Sequence, residues 1–373
     1  VPPVTRLSRG RPRLENARRR EKLIDPDWFH DEKTLPCFVV RRSAKPMFPA
    51  FSPPSPDRPR TLALAPMDGV TDHVYRDLLT ARARPGALAF AVSEFIRVTD
   101  RPIPTSVIER GCPEVKRGGV TRAGTPVLVQ LLGGQPEPLA ETARAAISAG
   151  AYGIDLNFGC PAKLVNRHDG GASLLKAPER IEQIVARVRD AVPRDRPVSA
   201  KVRLGWDSHD EVTQIARAAE CGGATWLTVH GRTKCEMYGP PADWVAIGSA
   251  RRALAIVTVA NGDLNTEGAL ERCREESGCS AFMLGRGPMG HPSLLCGDRA
   301  MSAGDEERFL ANMLLEYLDL LAAAGHTERL PVERVKQWLS LGAKVNAGVR
   351  PLFESVKRLS TVMEMKSVLR AQS

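Results

Sequence analysis

Between residues 61 and 284 the chain repeats one unit, a short apolar run followed by a longer stretch of helical periodicity. The runs fall at 61–66, 88–93, 127–131, 152–157, 198–203, 226–230, 256–261 and 281–284. Runs this short and this continuously apolar suit strands covered on both faces, as in a parallel sheet. The amphipathic or Ala-rich stretches between them lie at about 70–83, 137–149, 177–191, 209–221, 242–252 and 266–276. Strand and helix in alternation give the α/β class, and a count of eight favours a closed (β/α)8 TIM barrel over an open doubly wound sheet. No GxGxxG follows the first run, which counts against a dinucleotide-binding sheet. The barrel is therefore expected over 59–300.

The flanks read differently. Residues 305–324 and 331–370 have helical periodicity and no strand run, so 301–373 is expected to form a small all-helical domain. Asp305, Glu306 and Glu307 sit where a helix N-terminus favours negative charge, and Gly325 is a natural stop. Residues 1–58 hold the run Arg18-Arg19-Arg20 and a Pro-rich stretch from Phe48 to Pro59, and are expected to be disordered. The chain begins with Val rather than Met, so this extension is read as an alternative or misplaced start.

Charge and cysteine use narrow the partners. The net charge of +10 is concentrated at the ends: 1–60 hold 14 basic and 7 acidic residues, and 334–373 hold 8 and 2. Such segments suit a phosphate backbone, though a solvated helix face explains them equally well. No apolar run approaches the roughly 20 residues of a membrane span. The polar N-terminus lacks the apolar core of a secretory signal. None of the eight cysteines forms a CxxC pair or stands with His at zinc spacing, so no metal site is expected. A cytoplasmic protein with reduced thiols follows.

Barrels of this kind carry their chemistry at the C-terminal strand ends. Those ends hold Met67 with Asp68, Glu94, Gln130, Asn157, Lys201 with Arg203, His230, Asn261, and Gly285 with Arg286. A purely structural barrel gains nothing from such a ring of polar groups. The last two ends, Asn261-Gly262-Asp263 and Gly285-Arg286-Gly287, combine glycines that admit a ligand close to the backbone with an Arg suited to phosphate oxygens. Lys201 leaves two chemistries open. It can form a Schiff base after its pKa falls, or stay charged beside an anionic ring. Cys160, between Gly159 and Pro161, is a thiol whose ordinary pKa of about 8.5 keeps it protonated at neutral pH and able to act as a general acid.

Taken together, five motifs resemble the tRNA-dihydrouridine synthases. They are Ala65-Pro66-Met67-Asp68-Gly69-Val70-Thr71-Asp72, Asn157-Phe158-Gly159-Cys160-Pro161, Val229-His230-Gly231-Arg232-Thr233, Ala260-Asn261-Gly262-Asp263 and Gly285-Arg286-Gly287. Ser93-Glu94-Phe95-Ile96-Arg97-Val98, Lys201 to Asp207 and Arg334-Val335-Lys336-Gln337-Trp338 resemble the C-type bacterial branch, which acts on position 16 of the tRNA D-loop. The resemblance implies reduction of the uridine C5–C6 double bond by FMN, with NADPH as reductant and Cys160 as proton donor to C5. It implies that Pro66, Met67, Asp68, Gln130, Lys201, His230, Asn261, Gly262, Asp263, Gly285 and Arg286 hold FMN. Arg97, Asn157 and Tyr238 would meet the target nucleotide and its neighbours, and Arg334, Lys336 and Lys357 the RNA backbone. A monomer acting on tRNA through its 301–373 region is expected. The charged stretch Asn166 to Gly171, close after Cys160, departs from that branch.

Overall fold

The computed structural model describes residues 60–373 apart from 168, 240, 297–300 and 327–328. The expected extension 1–58 lies outside the described residues. Among the described residues nine strands form one sheet: β1 (Thr61–Leu64), β2 (Leu88–Val92), β3 (Ile96–Arg97), β4 (Val127–Leu132), β5 (Gly153–Asn157), β6 (Val198–Arg203), β7 (Trp226–His230), β8 (Val257–Asn261) and β9 (Ala281–Leu284). All the neighbouring pairs are parallel, and pairing of β2 with β4 at Ala91–Val127 and Val92–Leu128 closes eight of the strands into a ring. β3 stands outside that ring, paired to β4 alone at Leu131 and Leu132.

Each ring strand buries both faces, and its residues alternate between two cores. One face packs on the helices through Leu62, Leu64, Val127, Val129, Ile154, Leu156, Val198, Ala200 and Val202. The other points into the barrel, where Ala63, Ala65, Phe90, Val92, Leu128, Trp226, Val259, Ala281 and Met283 make a separate dry plug. Phe90 and Trp226 meet there at 5.1 Å, with small Ala63 and Ala281 in the same cluster, so large and small side chains share the narrow interior. Along β4 to β8 the inward positions then turn polar: Gln130, Asp155, Asn157, Ser199, Lys201, Arg203, Thr228, His230 and Asn261. The plug therefore carries the stability of the interior, and the polar layer above it faces the C-terminal mouth.

Among the described residues, fourteen α-helices surround and extend the barrel. They are α1 (His73–Arg82), α2 (Thr105–Gly111), α3 (Pro136–Ser148), α4 (Lys163–Arg167), α5 (Pro178–Ala191), α6 (Val212–Cys221), α7 (Trp244–Ala253), α8 (Glu267–Ser277), α9 (Gly287–Gly290), α10 (Ser293–Cys296), α11 (Ala303–Ala323), α12 (Arg329–Gly342), α13 (Val349–Val356) and α14 (Val362–Arg370). Side-chain caps fix several starts: Asp72 accepts from Tyr75 N, Asp243 from Ala246 N and Thr266 from Ala269 N. The stretch expected as helix over 331–370 is three helices, because the chain turns after Gly342 and again after Val356. At Gly342 the backbone meets the barrel so closely that a Cβ would lie 2.6 Å from the Met289 carbonyl.

The helical segment shares the outer core with the barrel. Trp338 of α12 packs against Tyr75 of α1 at 4.8 Å and Tyr317 of α11 at 5.4 Å, and its indole N–H donates to Met289 O at 3.1 Å. Asn346 donates to Gly290 O at 2.7 Å. Buried aromatic contact plus satisfied polar groups makes this a fixed seam rather than a tether.

Candidate active site

The C-terminal strand ends open into one cavity of about 510 Å³, within the range of small-molecule and cofactor sites. Pro66, Met67 and Asp68 follow β1. Gln130, Lys201 and His230 come from β4, β6 and β7. Asn261, Gly262 and Asp263 end β8, and Gly285 and Arg286 follow β9; all eleven line the cavity. Cys160, Asn157 and Tyr238 line it too. The structure thus gathers residues more than 200 positions apart because parallel strands all deliver their C-terminal ends to one rim.

Hydrogen bonds fix the polar layer. Asn261 donates from Nδ2 to Met283 O at 2.8 Å, which turns its Oδ1 toward the cavity. That oxygen accepts from Lys201 Nζ at 2.9 Å and from His230 Nδ1 at 2.9 Å. An amide oxygen only accepts, so His230 carries its proton on Nδ1. Burial, then the charges of Lys201 and Arg203, hold the His230 imidazole well below its ordinary pKa, and the ring is neutral at pH 7. Burial, helped by Arg203 and opposed by Asp155, brings Lys201 down to about 8. The ammonium form still predominates at neutral pH.

Cys160 is half-buried at the start of the loop after β5. Asn157 accepts from the backbone N–H groups of Gly159 and Cys160, both at 3.0 Å, and donates to Gln130 Oε1 at 2.8 Å. Gln130 in turn donates to Asp155 at 2.7 Å, and Asp155 accepts from Ser199 at 2.5 Å. A buried chain of side chains therefore runs from the barrel interior to the cysteine loop. On the other side Arg203 donates to Gly159 O at 2.8 Å, Thr233 O at 3.0 Å and Met237 O at 2.8 Å. Burial pushes the Cys160 thiol above its ordinary pKa, with Asp68 adding to the shift and the Ala162 N–H and Arg203 opposing it. The result is a protonated thiol held at a cavity wall.

The phosphate-type corner is built around Asp263, a non-glycine residue at φ 54°. It accepts from Arg232 at 2.5 Å and Ala242 N at 3.0 Å, and stands 3.7 Å from Arg286. Two arginines thus meet at one carboxylate beside glycines 262 and 285. Gly262 has φ +116°, and a Cβ on it would lie 3.0 Å from that of Ala242. A Cβ on Gly285 would meet Met67 Sδ at 3.6 Å and Ala65 Cβ at 4.0 Å, ordinary contacts that leave the backbone open to a ligand. The donors, the cation pair and the cavity size fit a flavin nucleotide, whose ring edge needs mixed donors and acceptors and whose phosphate needs cations.

The remaining expected residues lie outside the cavity. Arg97 is half-exposed on β3. Arg334 of α12 is held at the base of the β1 loop, donating to Gly69 O and standing 3.4 Å from Asp72, which also accepts from Tyr317 at 3.2 Å. Lys336 is 3.6 Å from Glu333, and Lys357 pairs with Glu354. Glu94 accepts from Val70 N at 3.0 Å and supports the same loop. In the charged stretch after Cys160, Asn166 donates to Cys160 O at 3.2 Å and Asp169 pairs with Arg180 at 2.5 Å. Asn166 and Asp169 of that stretch therefore serve as internal wiring of the loop.

From the sequence Arg203 belongs to the ring of strand-end groups without a contact of its own, and Arg232, Leu341 and Lys344 have no role; all four line the cavity. Arg203 had a signal, its position two residues beyond Lys201 on one strand face. Arg232 lay inside a quoted motif. Leu341 and Lys344 had none, because only the fold-back of α12 brings them to the mouth.

The chain matches the family model "Dihydrouridine synthase (Dus)" over residues 63–368. It is 41% identical over 311 residues to a tRNA-dihydrouridine(16) synthase of Salmonella typhimurium, covering 83% of this chain and 98% of that one. It is 42% identical over 301 residues to a protein of the same name from Pasteurella multocida, covering 79% and 93%. A third such protein, from Pseudomonas putida, is 43% identical over 303 residues, covering 80% and 92%.

Proposed function

The chain belongs to the dihydrouridine synthase family, and on that premise we propose that it reduces the uridine at position 16 of the tRNA D-loop to 5,6-dihydrouridine. What supports the reading most is the protonated Cys160 thiol at the wall of a cavity ringed by flavin-type donors. FMN bound there and reduced by NADPH would supply the hydride for uracil C6. The chain's own part is to hold the ring, bring in the base and deliver a proton.

In this reading Lys201, Asn261 and Gln130 meet the polar edge of the flavin, and Arg286 with Arg232 meets its phosphate. Lys201, largely charged at neutral pH, suits an anionic partner better than attack on a carbonyl, so the Schiff-base alternative loses its ground. Neutral His230 accepts on Nε2 without adding charge. The target base has to leave the tRNA stack to reach the cavity. Asn157 holds the Cys160 loop so that the thiol faces C5, and transfer of its proton completes the addition across C5=C6. Residues 301–373 serve as the tRNA-binding domain, with Arg97, Tyr238, Lys336 and Lys357 on the RNA, and the enzyme works as a cytoplasmic monomer. Arg334 is given a positioning part in addition, through Gly69 and Asp72.

The test is a deletion strain and the purified protein. Dihydrouridine is expected to vanish from position 16 and persist elsewhere in the D-loop. The protein is expected to be yellow and to oxidise NADPH in the presence of unmodified tRNA. Unchanged modification at position 16 in the deletion strain overturns the assignment.

A further inference from the structure

We propose that Trp206, with the ammonium groups of Lys176 and Lys234 on its ring, is a docking platform for the tRNA strand next to the target uridine, outside the cavity itself. The proposal rests on the reading above that the substrate is a tRNA. Lys176 Nζ lies 3.8 Å from the indole centroid and Lys234 Nζ 4.5 Å. The two cations are therefore within about 8 Å of each other, roughly one Debye length at physiological salt, so their repulsion is only partly screened.

Among the described residues neither lysine forms an ion pair. Near Lys234 and Trp206, Glu236 contacts His209 at 3.1 Å and Thr233 N at 2.7 Å, and Glu211 accepts from Trp206 N at 2.8 Å, while Glu179, three residues after Lys176, is exposed and forms no ion pair with it. Asp207 is exposed and pairs with neither lysine. Two like charges gathered around one indole ring, with no ion pair among the described residues, complement a phosphodiester. The indole holds both ammonium groups in place through its π-face, so that they meet the backbone as a fixed pair.

The segments that carry the platform are bonded to one another and to the Cys160 loop. Lys234 N donates to Gly205 O at 2.9 Å and Cys235 N to Trp206 O at 2.9 Å. The 3-10 turn Gly171–Lys176 is tied to Cys160 O through Ala172 N at 3.1 Å. Arg203 joins Gly159 to Thr233 and Met237. Met237 and Tyr238, both largely exposed, continue the surface to the cavity wall. A strand whose uridine reaches Cys160 therefore has a rigid basic and aromatic shelf beside it.

The test uses the flavin-loaded full chain as wild type, Lys176→Gln/Lys234→Gln, Trp206→Ala and Trp206→Phe. Flavin content and NADPH-driven flavin reduction without tRNA serve as integrity controls and are expected to be unchanged. In the double lysine variant the slope of log Kd for tRNA against log salt is expected to flatten by about 1–2. KM for tRNA is expected to rise about tenfold, with kcat at saturating tRNA near wild type. Trp206→Phe should keep most of the affinity and Trp206→Ala should lose it. An unchanged salt slope and KM in the double lysine variant overturns the platform. Wild type that binds tRNA but reduces no uridine overturns the function and leaves the platform to the binding data. Wild type that binds no tRNA overturns both.

Discussion

Two buried arginines each stand near a cysteine, and the molecule treats them in opposite ways. Arg76 of α1 is 1% exposed and makes a bidentate pair with Glu114, both hydrogen bonds 2.8 Å, with Cys112 Sγ 3.4 Å from the same carboxylate. Burial alone raises the Glu114 carboxyl, but the charge and hydrogen bonds of Arg76 outweigh it and hold the pKa low. Arg203 is 3% exposed and is met by three backbone carbonyls instead of a carboxylate. The first cluster is closed and neutral and locks α1 to the turn before β4. The second keeps its positive field, which lowers Lys201 and His230 and faces a cavity. A counter-ion serves stability, whereas withholding one leaves the site ready for an anion.

The sharpest break of this contrast comes from the cysteines. Cys160→Ala is expected to lower uridine reduction by about 10²–10⁴-fold, the range of a lost general acid, while flavin and tRNA binding persist. Its unfolding free energy should stay within about 1 kcal/mol of wild type. Single-turnover assay of tRNA reduction beside a denaturant titration reads both, and wild-type turnover in the variant ends the proton-donor role. Next in size is Glu114→Gln. It strands a buried guanidinium and should cost about 3–5 kcal/mol of stability, while kcat in the surviving folded fraction stays near wild type. If Glu114→Gln instead abolishes catalysis without lowering the denaturation midpoint, the two clusters are not divided as described.

Most of the barrel was legible because its physics is local. Short apolar runs and amphipathic stretches mark strands and helices, and the observed strands agree with the expected ones to within about two residues. The two-residue β3 left no apolar run, and α2 and the turn after it lie in a stretch without clear periodicity. The strand-end rule found the cavity-lining residues of the ring because a parallel barrel converts sequence order into a circle. It left Arg203 without a role, since hydrogen bonds to carbonyls on two other loops have no sequence signature. Lys344 and the Arg334–Asp72 contact were hidden for a related reason: the seam between α12 and the barrel is set by packing of Tyr75, Tyr317 and Trp338 from distant segments.

The smallest expected effect tests the withheld counter-ion most directly, through pH. Burial first and Arg203 second bring Lys201 down to about 8, against an ordinary value of 10.5. Below pH 8 folded and unfolded forms both hold the proton, so the cost of burying the charge is fully present. Between 8 and 10.5 the unfolded chain binds more protons than the folded one, and stability rises with pH across that window. Anion binding has the opposite sign, because the ammonium that attracts the ligand is lost on the same titration. An anionic ligand raises the pKa of the bound lysine, so Kd for FMN should climb from about pH 8, by up to tenfold per unit. Fluorescence titration of the apoprotein from pH 7 to 9.5 measures it. Lys201→Met should bind weakly and with a flat profile, and Arg203→Gln, which removes the neighbouring charge, should move the onset upward. An equal rise in Lys201→Met would show that another group carries the field, and the open cluster would then owe its charge to Arg203, Arg232 and Arg286 rather than to the lysine.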